Sequence, residues 1–272
     1  MISADYHMHT SFSTDSETPL RNMVDVAMRK GLQMICITDH LDADFPIKED
    51  LGEDAFQLDL ECYIPAVSEI REEYRGKIEV RTGVELGLQK HLGERYSQLT
   101  NEFPFDFVIG SLHLIRGMDP YYGEIFLGRN DRDVYEEAFI ETYECIKKVK
   151  CFDVLGHLDY VVRYGKEKEK EYSYSAFSDI IDEILKVLIY DGKGIELNMA
   201  GLKYGLSSPN PNKEILSRYK ELGGEIITVG SDAHKTEHVG YKFELAEEIL
   251  KDCGFQYYTE FDKRKTVFRR IP

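Results

Sequence analysis

The sequence is poor in several features, and each shortage closes off a class of function. Positive charge is scarce: 34 Lys and Arg face 50 Asp and Glu, a net charge of −16. A nucleic-acid surface needs the opposite balance, so no nucleic-acid partner is expected. There are five cysteines, Cys36, Cys62, Cys145, Cys151 and Cys253, widely spaced and with no CxxC among them. That pattern suggests neither a disulfide framework nor a thiolate zinc site. Reduced, mostly buried thiols suit a cytoplasmic protein. No apolar run approaches the roughly 20 residues of a membrane span. The first residues read as a polar strand rather than a signal peptide, so no membrane partner is expected. No GxGxxG or Walker loop occurs, which counts against a nucleotide-binding fold.

What remains is 272 residues, 42% of them hydrophobic, enough for one large domain or two small ones. Strand and helix patterns alternate along the whole length. Ile2 to His9 reads as a strand, with Ile2, Ala4, Tyr6 and Met8 on one face and Ser3, Asp5, His7 and His9 on the other. Thr18-Pro19 looks like an N-cap and a first-turn proline. Leu20, Met23, Val24, Ala27 and Met28 then form a helical stripe. Further strands are expected over 34–37, 78–85, 107–113, 154–157, 194–198, 225–229 and 255–258. Helices are expected over 60–74, 94–101, 132–149, 174–190, 213–222 and 243–251. Leu41 to Asp59 reads as an acidic surface loop. The charge run from Tyr164 to Glu171 reads as a solvated loop or a lid. Seven or eight β-then-α units with no linker predict an α/β fold with a parallel sheet. A single (β/α) barrel spanning 1–272 is the natural closure, with a doubly wound open sheet as the competing architecture.

The histidines carry the chemistry. Of eight, five (His9, His40, His113, His157 and His234) fall at or just past the C-terminal ends of different predicted strands. His7 shares a strand face with His9, and Glu85 and Asp232 also stand at strand ends. In a barrel those ends converge on the face where active sites are built. Imidazole and carboxylate donors without thiolates suit Zn, Mn or Fe rather than Ca or Mg. There are more donors than one ion can use, so two or three divalent ions are expected, with Glu85 able to bridge two.

These residues bear a family resemblance. His7-Met8-His9, Thr38-Asp39-His40, Glu85, Gly110-Ser111-Leu112-His113, Gly156-His157 and Ser231-Asp232-Ala233-His234 resemble the motifs of the polymerase-and-histidinol-phosphatase (PHP) superfamily. The segments Asp5 to Ser16 and Asp153 to Gly165 are most similar to its histidinol-phosphate phosphatases. The resemblance implies a distorted (β/α)7 TIM-like barrel with a trinuclear metal site. It places His7, His9, Glu85 and Asp232 on a first ion, Glu85, His113 and His157 on a second, and Asp15, His40 and His234 on a third. Position 15 is often histidine in that superfamily, and Asp15 favours a harder metal there.

Both lines point to phosphate-ester hydrolysis, with a metal-bridging hydroxide attacking phosphorus in line. Glu85 and Asp232 would organise the reaction. A third metal, Asp159 or a water would supply the proton or charge for the leaving alcohol. Arg116, just past His113, and Arg163, just past His157, are candidate phosphate ligands. Asn198 ends a strand and is placed to line the pocket. By resemblance the small phosphorylated substrate is L-histidinol phosphate, an intermediate of histidine biosynthesis. Acids of the 41–59 loop would meet its ammonium, and Tyr121 or Tyr122 would stack on its ring. Other phosphomonoesters remain open, as does a metal-dependent amidohydrolase, although no strand-end Lys supports the latter. A monomer and a homodimer are equally compatible with the sequence.

Overall fold

The computed structural model describes residues 1–52 and 54–272. Its sheet begins at β1 (Ala4–Asp5), which pairs in parallel with β2 (Met34–Ile37). Two residues later the chain re-enters the sheet as β3 (His40–Leu41), beside β4 (Glu79–Gly87). From β4 the sheet runs through β5 (Phe107–Ser111), β6 (Val154–Leu155), β7 (Gly194–Asn198) and β8 (Ile227–Gly230), every neighbour parallel. The extension of β1 then meets β8 and closes the ring. Tyr6 N–H donates to the Val229 carbonyl, Asp232 N–H to His7 and His9 N–H to Ala233, at 2.8–2.9 Å. With β3 continuing β2, the described residues form seven staves, a distorted (β/α)7 barrel. The parallel pairs need helical crossovers. These are α1 (Leu20–Arg29), α2 (Leu60–Glu73), α3 (Gly93–Glu102), α4 (Asp131–Lys148), α5 (Ser178–Tyr190), α6 (Ala200–Lys203) and α7 (Lys213–Glu221), and α8 (Phe243–Asp252) follows the last barrel strand. One apolar core runs from Ile2 to Ile271. Among the described residues no helix is long and apolar enough to cross a membrane.

Several local expectations are corrected. The regular ladder of the first strand stops at Asp5, and beyond it only Met8 bridges to Ala233. The expected pairing of His7 and His9 nevertheless holds, their Nε2 atoms lying 3.1 Å apart. The Asp5 carboxylate is taken up by backbone and hydroxyl donors, accepting from Ser231 N–H and Oγ–H, Gly240 N–H and His7 N–H. Thr18 does not cap α1: its hydroxyl donates to the His234 carbonyl at 2.9 Å. The charge run is held down, with Glu169 accepting from Ser207 N–H and Oγ–H at 2.8 Å. Residue 53, inside the acidic 41–59 loop, lies outside the described residues.

The strand expected at 255–258 is the start of an antiparallel hairpin, β9 (Tyr257–Asp262) with β10 (Lys265–Arg270). It floors the N-terminal end of the barrel. Tyr6 Oη donates to the Phe261 carbonyl and accepts from Phe261 N–H, and Phe107 packs between the two rings. With that end plugged, the open end is the one where the strands' C-termini meet.

Candidate metal centre and active site

Register brings the donors together. β3 pairs with β4 so that His40 lies opposite Glu85. Ser111, at the end of β5, donates its hydroxyl to Glu85 Oε1 at 2.6 Å. Glu85 is fully buried at the centre, and its two oxygens serve five imidazoles. Oε2 lies 3.1 Å from His7 Nε2, 3.4 Å from His9 Nε2 and 3.1 Å from His40 Nδ1. Oε1 lies 2.9 Å from His157 Nε2 and 3.3 Å from His113 Nε2.

Three donor nests result. In the first, His7 and His9 Nε2 are 3.1 Å apart, and Asp232 Oδ1 is 3.9 and 3.5 Å from them, with Glu85 Oε2 as the fourth member. The second is Glu85 Oε1, His113 and His157. In the third, Asp15 Oδ2 lies 3.1 Å from His234 Nε2 and 3.7 Å from His40 Nε2. His9 stacks between the rings of His40 and His234 at 4.2 and 4.1 Å.

These spacings are too short for unbonded polar atoms to be left alone in a core. Yet His40 Nδ1, His113 Nε2, His234 Nε2 and Glu85 Oε2 are buried without a hydrogen-bond partner. Such orphaned atoms are costly unless something else satisfies them. Four donors tetrahedrally placed at about 2.1 Å from an ion lie about 3.4 Å from one another, close to the spacings in the first nest. The residues present therefore fit divalent ions.

Electrostatics agree. Burial opposes charge on His7, but Glu196, Glu85 and Asp232 outweigh it and hold its pKa well above the ordinary imidazole value. His113 is raised likewise by Asp42 and Glu85 against burial, and His234 by Asp15 and Asp232. Burial pushes Glu85 and Asp232 upward, and the surrounding imidazoles more than reverse this, holding both well below the carboxylate range. Burial, with neighbouring positive groups, instead holds His9 and His157 below the ordinary imidazole value, so the site combines carboxylates that stay charged with imidazoles that keep a free lone pair.

The second nitrogen of three of the rings is also held. His7 Nδ1 pairs with Glu196 Oε1 at 2.6 Å and His113 Nδ1 with Asp42 Oδ2 at 2.7 Å. His9 Nδ1 lies 3.2 Å from Ser13 Oγ, which itself donates to Asp39. Glu196 and Asp42 were not singled out from the sequence. Glu196 stands in an apolar strand two residues before Asn198, where an acid is out of place, and that was the available signal. Asp42 is hidden among the acids of its loop.

All nine proposed ligands are thus brought to one cluster. The other candidates divide. Arg163 is buried and donates from Nε to Asn210 Oδ1 at 2.9 Å, with its Nη atoms 3.3–3.4 Å from Asn198 Oδ1 and Asp232 Oδ2. It lies over the rings of Tyr160 and Tyr204. Asn198 holds Arg163 and caps Ala200 N–H, so it props the pocket wall. Arg116 is not brought to the site. It sits in a left-handed turn (φ 52°), is 65% exposed in its side chain, and pairs with Glu137 on α4. Asp159 is buried with both oxygens committed, to Asn210 on one side and to Tyr172 Oη–H and Asn212 N–H on the other. Its oxygens are thus spent on the pocket wall, where Asn210 links it to Arg163, rather than held free for a leaving group. Lys203, for which the sequence carried no signal, reaches in from α6 and donates to the Asp232 carbonyl at 2.9 Å.

Comparison with known proteins agrees with this geometry. Residues 5–200 match the PHP domain family. The chain belongs to that family. A probable histidinol-phosphatase of Clostridium acetobutylicum is 33% identical over 93% of this chain and 94% of its own length. The histidinol-phosphatase of Lactococcus lactis is 32% identical over 97% of this chain and 96% of its own. A crystal structure of the Lactococcus lactis enzyme with zinc, L-histidinol and phosphate superposes with a TM-score of 0.85 at 29% identity, covering 97% of this chain and 98% of that one. The chain is therefore a phosphatase of the PHP family, and its histidine and carboxylate nests suit divalent ions such as zinc.

Proposed function

We propose that this protein hydrolyses L-histidinol phosphate to L-histidinol and phosphate, using two or three divalent ions held by His7, His9, Asp15, His40, Glu85, His113, His157, Asp232 and His234. One observation carries the reading: a single buried carboxylate, Glu85, joins five imidazoles at the open end of the barrel, with a buried arginine and a lysine beside it. Ions bound there would offset the charge of a phosphoryl group and bring a bound water to a usable pKa.

The chain's own residues supply the rest. Arg163 is pre-aimed by Asn210 and by the faces of Tyr160 and Tyr204. Its long Nη contacts, at 3.3–3.4 Å, leave donors available for a phosphate fork. Lys203 adds a second positive charge, and burial lowers its pKa. On the other side, Tyr160 packs edge-on to His113, and Tyr164 and Tyr121 continue an aromatic wall outward. Asp119 sits at its edge, its carboxyl raised by burial and turned toward Tyr121 N–H. An aromatic wall with one acid is suited to an imidazole and an ammonium. Tyr122 is committed to Lys48 and Asp50 of the 41–59 loop, which leaves Tyr121 as the better stacking partner.

The test is phosphate release from L-histidinol phosphate, with metal content measured on the same sample. Rapid turnover with two or three ions per chain is expected. Bound metal with no turnover of this ester, but turnover of another phosphomonoester, would overturn the substrate assignment and leave the phosphatase.

A further inference from the structure

We infer that Glu196, which no motif marks, is a positioning residue that fixes the proton of His7 and thereby keeps the first donor nest competent for metal. The inference rests on reading His7 as a ligand. Glu196 comes from β7 and its carboxylate is fully used. Oε1 accepts from His7 Nδ1 at 2.6 Å. Oε2 accepts from the His157 backbone N–H at 3.0 Å and from Asn198 Nδ2 at 3.1 Å. One side chain thus ties β1, the end of β6 and β7 together behind the nests.

A carboxylate only accepts, so Nδ1 of His7 must carry the hydrogen; Nε2, 3.1 Å from both His9 Nε2 and Glu85 Oε2, is then the nitrogen that would give its lone pair to an ion held among them. Partners of this kind set the tautomer and raise the basicity of a metal-binding imidazole. The fold makes room for it. A Cβ at Gly230 would come within 2.2 Å of Glu196 Oε1 and 2.5 Å of His7 Cβ, so the carboxylate can reach the ring only because position 230 has no side chain.

Glu196→Gln separates this role from a merely structural one. The amide has one acceptor where the native group uses two. With its NH2 toward His7, the ring must move its hydrogen to Nε2 and lose its lone pair there. With its NH2 toward His157 and Asn198, three donors face one another. The first orientation damages the nest directly and the second loosens the support behind it, while shape and volume stay the same.

The experiment is zinc affinity by chelator competition on wild type and Glu196→Gln, alongside the melting temperature of both in metal-free form. About ten- to hundredfold weaker binding of one zinc equivalent by a folded variant is expected. Unchanged affinity and stoichiometry in the folded variant would overturn the inference. Wild-type protein that binds no zinc would instead sink the reading of His7 as a ligand. Should Glu196→Gln not fold, ¹⁵N-histidine spectra of zinc-loaded wild type decide: a protonated Nδ1 on His7 supports the role, and a bare Nδ1 overturns it.

Discussion

Glu85→Gln removes one charge and changes almost nothing in shape, and it should undo the site. The carboxylate is fully buried, and its oxygens lie 2.9–3.4 Å from five imidazole nitrogens. Cations in the first and second nests would share it. Four-ligand zinc sites are worth about 10–16 kcal/mol, so a single ligand accounts for about 3 kcal/mol. An amide oxygen retains part of that for one ion, and the amide nitrogen retains none for the other. The loss is then about 1.5–3 kcal/mol per ion, or roughly ten- to hundredfold in each affinity. If turnover needs both ions, it should fall by about a hundredfold or more at limiting metal. The assay is metal content after dialysis against a graded chelator, with phosphate release measured on the same samples. Metal-free melting temperatures separate loss of a ligand from loss of the fold. A variant that keeps wild-type metal stoichiometry through the same dialysis, and turns over at a near-wild-type rate, would refute the bridging role.

Arg163→Lys keeps a charge but loses the fork, so kcat/KM should fall by about ten- to hundredfold, the worth of one to two charge-assisted bonds. Steady-state kinetics with metal content held at the wild-type level would check it. Metal affinity should weaken as pH falls. His7, His113 and His234 have raised pKa values without metal, so an incoming ion must displace their protons. Each displaced proton adds about one unit of slope to log affinity against pH, and proton release measured by calorimetry in buffers of differing ionisation heat would show it. Tyr6→Phe removes the hydroxyl that serves both the N–H and the carbonyl of Phe261, leaving two buried backbone groups unpaired. Unfolding in denaturant should report a loss of about 1–3 kcal/mol, with metal content unchanged because the floor lies at the opposite end of the barrel.

What was legible in the sequence was periodic or punctual. Strand ends marked by histidine were visible because a buried strand followed by a polar residue is a local pattern, and the barrel rule turns local ends into one face. What escaped depended on direction and on distant partners. Arg116 and Arg163 both follow a strand-end histidine by a few residues. One is turned outward by a left-handed backbone and captured by Glu137, and the other inward by Asn210 and Asn198. No spacing distinguishes them. Asp159 looked available because it follows His157 closely, but Asn210, Tyr172 and Asn212, 13 to 53 residues away, use up its oxygens. The floor hairpin was half seen, since its second strand declares itself only by pairing with the first.

The same asymmetry explains why the donors were easier to read than what holds them. A donor stands at a strand end and shares its position rule with the others. Each supporting group is placed by one contact across the barrel: Glu196 from β7 against His7 beside β1, Asp42 past β3 against His113 past β5. The glycines belong to this second layer. Gly230 leaves room for Glu196, and a Cβ at Gly87 would come within 2.4 Å of Asp42 Oδ1. An acid in an apolar strand and a glycine at a strand end are ordinary when seen singly. Their meaning appears only when the register puts the empty position of one strand against the carboxylate of another. Gly230→Ala should therefore act like a lesion at Glu196, displacing the carboxylate from His7, although position 230 itself offers no donor.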